Sequence, residues 1–148
     1  MEIQLITQSH PLWGKTIAFA EHCSWKAGPV LAKRMRENAF RDRERVIVAA
    51  DGENVAGYCT ITEKDELPEK YGYTPFIGFV FVDERYRGER ISERMIGEAC
   101  RYAKTLGYPA IYIMSGEQGL YEKYGFEETG EFETIYGTKD QLFLKALK

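Results

Sequence analysis

The sequence predicts an α/β fold: a mixed, mostly antiparallel central sheet of about seven strands, with helices on both faces. Three observations point there. Apolar periodicity gives the order β-α-α-β-β-β-α-β-α-β-β along 148 residues. Asp51-Gly52, between Arg45–Ala50 and Val55–Thr62, is a hairpin signal, slightly lengthened by Glu53-Asn54. The helical pattern between the apolar runs Phe76–Val82 and Ala110–Met114 is long enough for a parallel crossover, so the sheet is expected to be mixed.

Each element has a local reason. Glu2–Thr7 alternates, with Ile3 and Leu5 on one side, and reads as a short strand. Ser9 is expected to cap a helix over about Pro11–Cys23, with Pro11 in its first turn. Gly28–Pro29 interrupts the pattern, and a second helix is expected over about Val30–Phe40, with Leu31, Met35 and Ala39 inward and a basic outer face. Glu63–Thr74 is polar and unpatterned, a length typical of a functional lid or a mobile surface excursion. Phe76–Val82 is apolar on both faces and belongs in the middle of the sheet. Ile91, Met95, Ile96, Ala99, Ala103 and Leu106 recur at helical spacing until Gly107. Ala110–Met114 reads as a buried strand, and about Gln118–Tyr124 as a short helix. Phe126–Tyr136 and Gln141–Lys145 read as two last strands joined by a turn at Gly137–Asp140.

Composition bounds the function. With 44% hydrophobic and 29% charged residues, residues 1–148 read as one globular domain large enough for its own core. The net charge of −3 gives no general case for nucleic acid. The basic residues cluster instead at Arg85, Arg87, Arg90 and Arg94, which suits a small polyanion. Three cysteines without a C-x-x-C pair argue for a reducing compartment. His10 and His22 lack companions at zinc-ligand spacing, so no metal is expected. Without a signal-peptide pattern or a run of about 20 apolar residues, no membrane is expected and a cytoplasmic location follows.

The chemistry concentrates after Phe76–Val82. A basic turn, Asp83–Ser92, leads directly into a helix, and Gly88 lets backbone approach a ligand. The first four N–H groups of a helix lack intrahelical partners and its dipole is positive there, so this turn suits a pyrophosphate. An arginine-rich helix start can also be plain solvated surface. Neither a P-loop nor a Rossmann fingerprint is present.

Val82–Glu93 (VDERYRGERISE) resembles the acetyl-CoA-binding segment of the GNAT superfamily of N-acetyltransferases, and Leu120–Phe126 (LYEKYGF) resembles that family's later motif. The element order resembles its fold over almost the whole chain. The family pattern, Gln or Arg, two residues, Gly, one residue, then Gly or Ala, falls on Arg87-Gly88-Glu89-Arg90-Ile91-Ser92. Arg90 and Ser92 stand where small residues are usual. The resemblance implies that backbone of Val80, Phe81 and Val82 holds the pantetheine arm like an added strand. It implies that N–H groups of Gly88, Glu89, Arg90, Ile91, Ser92 and Glu93 hold the phosphates.

The reaction so implied is attack of a neutral amine on the thioester of acetyl-CoA in a ternary complex. A backbone N–H of the central strand would polarise the carbonyl. The departing thiolate needs a proton, which a phenol holds at neutral pH. The family position for that phenol falls on Tyr121; packing under the sheet is the plainer reading, and Tyr124 is a weaker candidate. Met114-Ser115-Gly116-Glu117 stands where the family often has asparagine before this helix. The central strand has no ionisable residue, which leaves Glu63, Asp65, Glu66, Asp83, His22 or a water chain as base. His22, Trp25, Tyr71 and Tyr73 are candidate walls for the acceptor, a small-molecule or protein amine. A non-catalytic acyl-CoA sensor on the same fold is the rival reading. The two terminal strands could pair across a homodimer.

Overall fold

The computed structural model describes residues Met1–Lys148. Its strands are β1 (Glu2–Ile6), β2 (Arg45–Asp51), β3 (Asn54–Thr62), β4 (Phe76–Val82), β5 (Ala110–Ser115), β6 (Glu127–Glu133) and β7 (Lys139–Ala146). Its helices are α1 (Leu12–His22), α2 (Gly28–Arg36), α3 (Ile91–Thr105) and α4 (Leu120–Lys123). The strands form one sheet in the order β1-β2-β3-β4-β5-β7-β6. Only the β4–β5 pair is parallel, as the α3 crossover requires. The mixed, mostly antiparallel seven-stranded sheet matches the fold class read from the sequence, and β4, apolar on both faces, lies at its centre.

The two faces of β4 feed two cores. Ile77 packs with Met95, Ile96 and Ala99 of α3 and with Tyr121 of α4. Phe81 packs on the opposite face with Trp13 of α1 and Leu31 and Met35 of α2. Met95 and Ile96 are sealed from solvent, and truncating either to Ala would cost about 2–5 kcal/mol. Gly57 of β3 permits the tight β3–β4 contact, because a Cβ there would stand 2.7 Å from the Phe81 carbonyl oxygen.

Several boundaries differ from the sequence reading. The α1 start is not capped by Ser9; the Leu12 N–H donates to Nδ1 of His10 at 3.0 Å. Gly28–Pro29 opens α2 instead of preceding it, since proline lacks only an N–H that the first turn leaves unused. That helix stops at Arg36, where Asn38 takes the left-handed conformation that asparagine tolerates. The last hairpin turns earlier than expected. Thr134 and Thr138 join through hydroxyls at 2.7 Å and through backbone, leaving Ile135 and Tyr136 on an exposed turn.

The segment 63–74 is not a loose excursion. Glu44, buried at the start of β2, accepts the Glu63 N–H at 2.7 Å and so fixes where the chain leaves β3. Leu67 is buried against Phe76 and Leu142. Glu66 O accepts the Ile135 N–H at 2.7 Å, which joins this segment to the β6–β7 turn. No helix is long and apolar enough to cross a membrane.

Candidate active site

Phe79 creates the site. It has φ of 51°, an unusual conformation for a bulky residue, and the β3–β4 register slips between Tyr58 and Thr60. β4 pairs with β5 only at Phe76 and Ile77, then the two strands part. From Gly78 onward the β5-facing edge of β4 has no neighbouring strand.

A cleft of ≈ 1170 Å³ opens in that gap. Its lining comes from both sides of the sheet. Trp25, Val30 and Arg34 enter from the α2 side, and Leu120 and Tyr121 from the α4 side. Asp65 and Glu66 of the 63–74 segment, together with Ile135 and Tyr136 of the last turn, form a further wall.

The structure brings Val80, Phe81, Arg87 and Tyr121 onto this one cleft. Val82 and the turn Gly88–Glu93 follow beyond its Arg87 end. None of the six N–H groups from Gly88 to Glu93 donates within the protein, and the first bond of α3 runs from Arg94 N–H to Arg90 O at 3.1 Å. The basic cluster is less free than its sequence suggests. Arg85 pairs with Asp83, Arg87 donates to Val82 O, and Arg94 donates to Met1 O. Arg90 is the exception: its side chain is 81% exposed, with only a 3.6 Å approach to Glu93.

Arg90 also carries φ of 61°, the left-handed conformation that glycine adopts most easily. Arg90→Gly is therefore expected to raise the unfolding free energy by about 0.5–1 kcal/mol in urea titrations, net of the greater chain entropy of glycine. Ser92, the other departure from the family pattern, holds the hydroxyl of Tyr124 at 2.8 Å and so locks α4 to the start of α3.

Tyr121 is buried, with its ring 5.6 Å from that of Phe143 and 6.3 Å from that of Phe126. Burial, helped by the Glu117 carboxylate, pushes its phenol up to about 12. It packs under the sheet and lines the cleft at once, so the two sequence readings of Tyr121 are compatible.

The possible bases separate clearly. Glu63 pairs with Arg41, Asp83 with Arg85, and His22 is exposed outside the cleft. Asp65 and Glu66 remain in it. Asp65 lies against Gly78 of β4: a Cβ on Gly78 would stand 2.6 Å from Asp65 Oδ2, so the glycine makes room for the carboxylate. Burial raises the Asp65 carboxyl to about 6, although it accepts the Glu66 N–H at 2.7 Å and feels the charge of Arg34.

Of the proposed walls, Trp25 is in place, stacked on Phe81 with ring centroids 5.9 Å apart. Tyr71 and Tyr73 are not: they stack on each other and lie against Phe132 and Tyr112, outside the cleft. Ile135, Tyr136 and Arg34 were not singled out as lining, because their places depend on how distant segments meet.

The comparisons agree with this geometry. A curated relative from Escherichia coli (strain K12), the uncharacterized N-acetyltransferase YhbS, is 28% identical over 97 residues, covering 66% of this chain. The match spans 56% of that protein, a little over half its length. The crystal structure of an aminoglycoside 6'-N-acetyltransferase complexed with coenzyme A superposes with a TM-score of 0.75 at 14% identity, covering 100% of this chain and 98% of that one. The aminoglycoside 6'-N-acetyltransferase from Enterococcus faecium gives 0.78 at 16% identity, with coverage of 100% and 98%. The model of the acetyltransferase (GNAT) family matches residues 12–126, from α1 through the parted strands to the end of LYEKYGF. That span holds both signature motifs and nearly all of the cleft, and it makes this chain a member of the GNAT family of acetyltransferases.

Proposed function

We propose that this acetyltransferase moves an acetyl group from acetyl-CoA to a primary amine by direct attack in a ternary complex. One observation carries the reading: the unpaired edge of β4 runs toward six partnerless N–H groups at the start of α3, with Tyr121 and Asp65 on the cleft between the parted strands. The slender pantetheine arm of acetyl-CoA, which carries two amides and leads to a pyrophosphate, fits that path. Its amides pair with Val80, Phe81 and Val82 as a strand would, and its phosphates meet the N–H groups of Gly88–Glu93, with Arg90 adding charge.

The roles of the side chains follow from their surroundings. Asp65, whose carboxyl burial raises to about 6, takes the proton of the incoming ammonium. The amine nitrogen then forms the new C–N bond at the acetyl carbonyl, whose oxygen gains charge beside the β4 backbone. As the C–S bond breaks, Tyr121, protonated throughout the neutral range, donates toward the sulfur. The attacking nitrogen sheds its second proton as the amide forms, which restores the Tyr121 phenol, and the proton on Asp65 leaves to solvent; the products are an acetamide and the CoA thiol.

Cofactor binding is measured first. CoA at about 100 times its dissociation constant should stabilise the fold by about 2.7 kcal/mol, roughly 5–10 °C in thermal shift for a chain of this size. No shift at millimolar CoA rejects the proposal. Thiol release from acetyl-CoA across a panel of amines then separates catalysis from mere acyl-CoA sensing, which would give the shift without turnover.

A further inference from the structure

Arg34 is a guanidinium without a partner in the acceptor half of the cleft. It projects from α2 and lies over the rings of Phe40 and Phe79, with its carbon 5.2 Å and 5.8 Å from their centroids. The two rings fix its position and leave its five donors unused. It is half-buried and lines the cleft, and it belongs to none of the protein's seven ion pairs. A partly desolvated guanidinium is ordinarily matched to a carboxylate.

Its neighbours locate the missing partner. Phe79 is the bulged residue where β4 leaves β5, and Asp65 is close enough to feel the Arg34 charge. The cleft therefore holds an anion that suits an amine and a fixed cation beside it, on the α2 side of the bulge. The other basic groups of the cleft are already engaged: Lys64 with Glu69, and Arg87 with Val82 O. The phosphate-binding turn at Gly88–Glu93 lies past the Arg87 end, so the cofactor's phosphates do not supply the partner of Arg34.

We infer that the acceptor is an amine bearing a carboxylate or a similar anion a bond or two from its nitrogen, as an α-amino acid does, with Arg34 gripping the anion while Asp65 receives the amine. Trp25 and Phe79 offer an apolar wall, so an apolar or aromatic side chain is preferred. The inference rests on the acetyltransferase reading above and narrows its substrate class.

The test compares matched acceptors: phenylalanine with its amide and with phenethylamine, and leucine with its amide and with isoamylamine. Thiol release is followed in the wild type, Arg34→Gln and Arg34→Lys, with CoA thermal shift recorded for each protein. The free amino acids are expected to exceed their amides and amines in kcat/KM by about 10- to 100-fold, the scale of a charge-assisted hydrogen bond. Arg34→Gln should erase that margin through KM while leaving the acceptors that lack a carboxylate and the CoA shift unchanged. Arg34→Lys should restore part of it. Amines or amides turned over as well as the acids would overturn the inference, as would an Arg34→Gln that lowers all acceptors alike or weakens CoA binding. Turnover of di- and polyamines alone would reverse the assignment, placing a second cation where we place an anion. Absence of both CoA binding and thiol release would instead reject the acetyltransferase reading itself.

Discussion

Tyr121→Phe is expected to lower the rate of acetyl transfer by about 10²-fold or more while acetyl-CoA binding stays near its original strength. The variant keeps the ring that packs against Phe126 and Phe143, so its thermal stability should remain close to that of the parent. What it loses is one hydroxyl, buried at the cleft and held protonated by desolvation and by Glu117. Single-turnover thiol release and equilibrium CoA binding, measured on the same preparation, check the two halves. An unchanged rate over the acceptor panel would leave Tyr121 a packing residue only.

Asp65→Asn is expected to reduce kcat/KM by about 10²-fold or more and to change its pH dependence. In the parent, activity should fall below about pH 6 as Asp65 protonates. In the variant that limb should vanish, leaving the rise set by the acceptor amine. Stability should move the other way. The folded-state carboxyl titrates at about 6, above the ordinary value of about 3.9 in an unfolded chain. Its protonated form is therefore favoured by folding, and the parent loses stability as pH rises from about 4 to 6. Asp65→Asn keeps the acceptor for the Glu66 N–H but carries no charge, so it should be more stable by about 1–2 kcal/mol at pH 7.5. That gain should disappear near pH 4. Urea titrations at the two pH values check the sign.

Most of the frame was legible because it is locally encoded. The apolar runs of β2, β3 and β4 and the helical spacing of α3 each specify a burial pattern without reference to distant residues. The turn Gly88–Glu93 was legible as a row of free backbone donors for the same reason, since consecutive N–H groups at a helix start lack partners. The acceptor side was not. Arg34 looked like one more charge on the basic face of α2, and only the meeting of α2 with Phe79 turns it into the cleft. Asp65 sits in a polar stretch, EKDELPEK, whose composition hides one buried leucine and three half-buried carboxylates, Glu63, Asp65 and Glu66. The helix ends were missed where a residue acted unexpectedly, His10 through its ring nitrogen for α1 and Asn38 through its left-handed backbone for α2.

The bulge at Phe79 also has a consequence for molecular width. Most sheets expose unpaired strand edges only at their rims, here β1 and β6, where a foreign strand can dock from solvent. Parting β4 from β5 creates a third edge in the middle of the sheet, walled by Trp25, Val30 and Arg34 from the α2 side and by Leu120 and Tyr121 from the α4 side. A polypeptide strand brings side chains above and below its own plane and would meet both walls. A slender arm that offers amide groups with few side branches would meet them far less. The slot is therefore expected to act as a gauge, keeping the hydrogen-bonding capacity of an open edge while disfavouring the bulk of another protein's strand.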